Sequence, residues 1–185
     1  PVPDTSVPAS VGYSEALGVS RDDAIVKNRY VGRTFMQPSQ LSRRSSLQLK
    51  HTMISERIAG RDIYLIDDSI VRGNTIPRLV KLARKFGAKS VSVLIASAPV
   101  RFPDFYGVDT PSQSELMAAN MTVEEMRKAI DADYLGFLPI SAMVEATKMP
   151  YDTFNLAAFN GEYPIDIGKH HKSEIHPPVS DEYID

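Results

Sequence analysis

Ile63-Tyr64-Leu65-Ile66-Asp67-Asp68-Ser69-Ile70-Val71-Arg72-Gly73-Asn74-Thr75 is the stretch whose reading decides the fold. Its first four residues are a short apolar, partly β-branched run, as in a central parallel strand. Two carboxylates stand at the strand's tip, and a loop carrying hydroxyls, an arginine and a glycine follows them. Asn74 or Thr75 then opens a helix. Ile76, Leu79, Val80, Ala83 and Phe86 recur at helical spacing, Pro77 falls in the tolerated first turn, and Gly87 supplies the stop. Val91 to Ala96 reads as the next buried strand.

The same alternation continues outward. Downstream, Ser112 with Glu115 and Thr122 with Glu125 have capping-box spacing and predict two helix starts. Tyr134-Leu135-Gly136-Phe137-Leu138 reads as a strand and Ser141 to Thr147 as a helix. Upstream, Thr5 to Leu17 predicts a loop and a short helix ended by Gly18, and Ala24-Ile25-Val26 a short strand. This order argues for an α/β fold, a doubly wound and mostly parallel sheet, whose ligands bind beyond the carboxyl ends of the strands. Residues 1–167 are expected to form one domain. Residues 168–185, with Pro177-Pro178, are expected to be a polar tail that lies on a neighbour or is disordered. Because the chain opens on Pro1-Val2-Pro3-Asp4-Thr5, we expect a piece of a longer protein, cut at or just after a strand.

Bulk properties exclude more than they assign. A chain of 185 residues, 43% hydrophobic and 24% charged, can bury a sizeable core. Its formal net charge of −2 gives no global attraction to nucleic acid or an anionic membrane, so any anion site must be local. There is no run long enough for a membrane span and no signal-peptide pattern. The absence of cysteine excludes disulfides, thiolate-held metals and a cysteine nucleophile within these residues. A cytoplasmic location is expected.

The chemistry concentrates after Ile66. Backbone N–H groups at a helix start, with the Ser69 and Thr75 hydroxyls, can cradle a phosphate that the helix dipole favours. Asp67 and Asp68 suit sugar hydroxyls, or a hard Mg²⁺ that itself touches ligand oxygens. A ribose carrying a 5′-phosphate satisfies both halves. A bare apolar-Asp-Asp pattern is equally well read as a strand-end pair capping a helix, with Arg72 as its surface counter-ion. A Walker B strand needs a G-x-x-x-x-G-K-[ST] loop that this sequence lacks, and an acidic receiver pocket has no Arg-Gly-Asn-Thr loop directly after its acids. A second local cluster lies upstream. From Ala24 to Ser55 there is no acidic residue, while Lys27, Arg29, Arg33, Arg43, Arg44 and Lys50 supply six positive charges. Alone this is a solvated basic loop or a nucleic-acid contact; beside a phosphate cradle it reads as a flap. His170, His171 and His176 lie in the polar tail and read as solvated rather than as a metal site.

The thirteen-residue string resembles the phosphoribosyl pyrophosphate (PRPP) signature of type I phosphoribosyltransferases. Its version, Val71-Arg72-Gly73 after Asp67-Asp68-Ser69-Ile70, is similar to that of the amidophosphoribosyltransferases. So are Pro3-Asp4-Thr5, the stretch Lys27-Asn28-Arg29-Tyr30-Val31-Gly32-Arg33-Thr34-Phe35, and Arg101-Phe102-Pro103 through Tyr106-Gly107-Val108-Asp109. The resemblance runs from Val2 to Tyr163. It implies a type I phosphoribosyltransferase fold that converts PRPP and ammonia to phosphoribosylamine with Mg²⁺. It implies that Asp67 and Asp68 hold ribose hydroxyls and, with Thr5, the metal's surroundings. Ser69, Val71, Arg72, Gly73, Asn74 and Thr75 would enclose the 5′-phosphate. Lys27 and Arg29 would stabilise departing pyrophosphate, acting with Asp68 as the catalytic set, and Tyr30, Phe35 and Leu116 would line an ammonia route. The family's glutaminase domain is absent from these residues, so ammonia would come from glutamine only in a longer enzyme. Inhibition by purine nucleotides and a homo-oligomer are implied as well. Asn74 departs from the family, which usually has Thr there. A base-salvage phosphoribosyltransferase and a nucleic-acid-binding PRPP sensor are the rival readings; the Lys27 to Phe35 stretch argues against the first, and the lack of a basic recognition element outside the flap against the second.

Overall fold

The computed structural model describes residues 1–28, 51–110, 112–180 and 182–183. Helix α1 (Val7–Leu17) leads to a two-stranded antiparallel pair, β1 (Ile25–Lys27) and β2 (His51–Met53). Then follow β3 (Asp62–Asp67), α2 (Ile76–Lys85), β4 (Ser90–Ile95), the single turn α3 (Met117–Asn120), α4 (Val123–Ala129) and β5 (Tyr134–Phe137). Helices α5 (Ile140–Thr147), α6 (Ala157–Asn160) and α7 (Gly168–Lys172) complete the chain. Among the described residues no helix is long and apolar enough to cross a membrane.

Strands β3, β4 and β5 form a parallel sheet in that order, in the register Leu65↔Val93↔Leu135 and Asp67↔Ile95↔Phe137. Parallel neighbours need crossovers, and α2 and α4 supply them. Alternate residues of one face, Leu65, Val91, Val93, Leu135 and Phe137, meet Leu79, Val80 and Ala83 of α2 and Met126 of α4 in the main core. Ile25 and Met53, paired across the β1–β2 ladder, close that core at one side. On the opposite face the row Tyr64↔Ser92↔Tyr134 is more open, with Tyr64 48% and Tyr134 53% exposed. The mostly parallel α/β sheet is therefore as the alternation predicts.

Three local expectations change. Helix α2 begins at Ile76, and Thr75 before it makes no side-chain cap because its φ of −87° and ψ of −54° are already helical. Thr122 and Glu125 do form a reciprocal capping box. Ser112 and Glu115 do not: they start a 3₁₀ turn, Gln113–Glu115, with no side-chain cap. The Glu115 carboxylate is shared between Arg72 at 2.8 Å and the Ser112 hydroxyl at 3.4 Å. Residues 168–183 also differ from a disordered tail. His176 and Val179 bond back to the body, and the Tyr183 ring meets Phe137 edge-on with centroids 5.8 Å apart. Polar composition hid this order, because the contacts are made largely by the backbone.

Candidate phosphate and ribose site

The tip of β3 carries the site. Ile66 and Asp67 are buried at the strand's end, while Asp68 is exposed as the chain leaves the sheet. Asp67 is 7% exposed, and its Oδ1 accepts the Asp68 N–H at 3.0 Å. Burial pushes the Asp67 carboxyl up to about 7, and the neighbouring Asp68 charge adds to the rise. Asp68 Oδ1 accepts the Ser69 hydroxyl at 3.2 Å. The pair is thus divided into a buried group that resists ionisation and an exposed one beside it.

The loop after the pair is pinned at two points. Ile70 is 2% exposed in the main core, and Val71 packs against a second apolar cluster of Val100, Leu116 and Ala119. Between and beyond these anchors Arg72, Asn74 and Thr75 face outward. The Val71 carbonyl accepts the Met117 N–H at 2.8 Å. Gly73 has a φ of +66°, and a Cβ there would lie 2.5 Å from the Met117 sulfur. Glycine is required twice over, by backbone conformation and by space. The Arg72 guanidinium pairs with Glu115 and not with Asp67 or Asp68. That disposes of the reading in which Arg72 is the acids' counter-ion.

Residues 1–5 come to the same end of the sheet. The Val2 N–H donates to the Ile66 carbonyl at 2.8 Å, just before the acids, and Thr5 is exposed in the turn that follows. Asp4 of this turn pairs with Lys27 of β1 at 2.9 Å, so Lys27 reaches the N-terminal loop from the antiparallel strands. The structure therefore brings Asp67, Asp68, the 69–75 loop, Thr5 and Lys27 to one end of the fold. Arg29, Tyr30 and Phe35 lie outside the described residues. Leu116 is fully buried behind the loop, beside Val71.

Known proteins resemble this chain in sequence and in fold. Over 166 residues, 90% of this chain, it is 46% identical to an amidophosphoribosyltransferase of Synechococcus elongatus. A second relative, the amidophosphoribosyltransferase of Bacillus subtilis, is 43% identical over 170 residues. The solved glutamine PRPP amidotransferase of B. subtilis, in complex with ADP and GMP, superposes on 92% of the chain with a TM-score of 0.80 at 42% identity. Over nine tenths of its length the chain is homologous to amidophosphoribosyltransferases.

It spans about a third of the length of the amidophosphoribosyltransferases it matches: 34% and 36% of the two curated relatives, and 38% of the solved chain. No family model matches it. The fold is that of a type I phosphoribosyltransferase.

Reading the sequence for its signature finds the acids and the loop, but it misses what supports them. Met117, which fills the space over Gly73, and Glu115, which holds Arg72, lie more than forty residues downstream of the loop. Gln113 is buried in a segment that the sequence reads as a helix start. Only the α/β alternation placing 112–120 beside the strand ends hints at it.

Among the described residues no group of three or more His, Asp or Glu could hold a metal ion. Mg²⁺ does not need one. It is held by one or two carboxylates, keeping waters and substrate oxygens for the rest of its shell. A carboxylate pair with one member buried and reluctant to ionise alone fits a cation's charge.

Proposed function

We propose that this chain is the phosphoribosyltransferase part of an amidophosphoribosyltransferase, residues 1–167 forming the domain and 168–185 a C-terminal strap. It would convert PRPP and ammonia to 5-phosphoribosylamine and pyrophosphate, the opening reaction of purine synthesis. The observation that carries this reading is the acidic pair at the tip of a parallel strand, followed by a loop whose Ile70 and Val71 pack inward while Arg72, Asn74 and Thr75 are exposed.

The bond from C1 of the ribose to the pyrophosphate oxygen breaks, and a bond from C1 to the ammonia nitrogen forms. The nitrogen then loses a proton to solvent. Positive charge spreads over the ring as negative charge grows on the leaving group, so catalysis is positioning and electrostatic stabilisation. Asp67 and Asp68 would orient the ribose hydroxyls. Ser69, Arg72, Asn74 and Thr75 would hold the 5′-phosphate with the loop's backbone at Val71 and Gly73, and Lys27 with Arg29 would stabilise the leaving pyrophosphate. Tyr30, Phe35 and Leu116 would shelter ammonia from water. Thr5, Asp67 and Asp68 would hold Mg²⁺, whose role is to neutralise pyrophosphate charge. Asn74 offers an amide N–H where the family usually has a hydroxyl, so the cradle keeps a donor there.

In a longer enzyme the ammonia would come from glutamine through a further domain. Purine nucleotides such as the ADP and GMP of the solved relative would act as inhibitors. A cytoplasmic homo-oligomer completes the proposal.

The test is calorimetry of PRPP with Mg²⁺ on the full-length protein, followed by turnover with ammonia or with free purine and pyrimidine bases as acceptor. Binding with ammonia as the preferred acceptor is expected; preference for a base would make it a salvage enzyme. Asp68→Ala should abolish phosphoribosylamine formation in a protein that still melts cooperatively. Normal turnover in that variant would sink the assignment.

A further inference from the structure

The phosphate loop has a second wall. Segment 113–117 touches the loop at Arg72, Val71 and Gly73 and is gripped from behind by the C-terminal strap. Gln113, 7% exposed, is where the two meet. Its Nε2 donates to the His176 carbonyl at 2.8 Å and to the Arg101 carbonyl at 3.1 Å. Its Oε1 accepts the His176 N–H at 2.7 Å. The side-chain amide thus pairs with a backbone peptide of the strap as one strand pairs with another, and every bond is to main chain. Three residues on, the Val179 N–H donates to the Ala119 carbonyl at 3.2 Å, fastening the strap to the other end of the same segment.

From this geometry we infer that Gln113 is a positioning residue for the phosphate loop, transmitting the docked state of the strap to the loop through Glu115 and Met117. Without the strap, the Gln113 amide keeps only its bond to Arg101 and loses both bonds to His176. Water can take their place but does not hold the side chain in one geometry, so the turn is no longer fixed. Glu115 lies in the same 3₁₀ turn and Met117 opens α3 two residues on, so both move with it. The loop then loses its counter-ion at Arg72 and the sulfur that fills the space over Gly73. Binding PRPP would have to restore the loop's shape at the expense of affinity. Once the loop is occupied its shape is restored, so turnover at saturation is preserved. This rests on the PRPP reading of the loop and extends it to a residue and a segment outside the signature.

The experiment compares, in the full-length protein, Gln113→Ala, removal of residues 175–185, and the two combined. PRPP affinity, the KM for PRPP, kcat and melting temperature are read for each. Gln113→Met, which keeps the volume and loses the bonds, substitutes for Gln113→Ala if that variant fails to fold. We expect each change to weaken PRPP binding roughly tenfold, the combination to weaken it no further, and kcat at saturating PRPP to stay within about twofold. Lower melting temperature with wild-type PRPP affinity would make Gln113 a structural residue only and overturn the inference. So would losses that multiply in the combined variant, because strap and glutamine would then act separately. If the unaltered protein binds no PRPP, the functional reading itself fails and takes this one with it; unaltered binding with unaffected variants removes the inference alone.

Discussion

Replacing Gly73 by alanine tests the loop's geometry most directly. At a φ of +66° an alanine is strained, by about 1–2 kcal/mol. Its Cβ would lie 2.5 Å from the Met117 sulfur, far inside contact distance. The sulfur is near the end of a flexible side chain, so Met117 can swing away, which we put at about 1 kcal/mol. The stiffer unfolded chain returns about 0.4–1 kcal/mol. The net loss is therefore about 1–2.6 kcal/mol, or roughly 2–10 °C in melting temperature for a chain of this size. Loss of PRPP affinity should exceed this, because the loop must also shift relative to Arg72 and Asn74. Gly60→Ala is the control: its φ is +71° but nothing lies within 4 Å of the added carbon. It should lower stability by no more than about 1.6 kcal/mol and leave PRPP binding alone. Gly73→Ala combined with Met117→Ala isolates the contact, since removing the sulfur should recover the steric part of the binding loss. Differential scanning calorimetry and PRPP titration measure all four proteins. If Gly73→Ala binds PRPP like the unaltered protein, or if removing the Met117 side chain brings no recovery, the argument from conformation and space is wrong.

Lys27→Ala removes an exposed ion pair with Asp4, worth at most about 1 kcal/mol, and should raise the KM for PRPP far more than it lowers stability; unchanged steady-state kinetics would count against a role at the pyrophosphate. Asp133 accepts the Val91 N–H at 2.6 Å at the entry to β4, and this bond, with Arg84 nearby, holds its carboxyl below the usual range. A depressed carboxylate stabilises above its unfolded pKa, and that contribution is lost as pH falls through the folded value. Asp133→Ala should therefore cost about 1 kcal/mol at pH 7, and urea melts should show the gap closing below about pH 4; a constant gap would refute the linkage. Thr122→Ala removes the one reciprocal capping box of α4 and should cost about 1 kcal/mol, read from the urea midpoint.

Much of this protein is local enough to be read along the chain. The β3 run, the periodic face of α2 and the Thr122 box depend on neighbours within a few residues, and each forms as its sequence predicts. The acidic pair and its loop are equally legible, since strand end, loop and helix start are consecutive. The Ser112 segment forms a 3₁₀ turn rather than a capped helix, and the sequence does not show that its Glu115 is shared with Arg72, 43 residues away. The strap fails as an expectation for the same reason. Its order depends on a buried glutamine 63 residues away that binds peptide groups, which carry no side-chain signal.

Sequence alone determined that an acid-tipped strand would feed a phosphate-sized loop, because hydrophobic period and turn chemistry act over short range. Only the tertiary structure decided how buried Asp67 is, which side chain faces Arg72, what fills the space over Gly73, and that the C-terminal residues pack against the body. Those properties belong to pairs of groups distant in the chain, and their energies exist only once the sheet has brought them together.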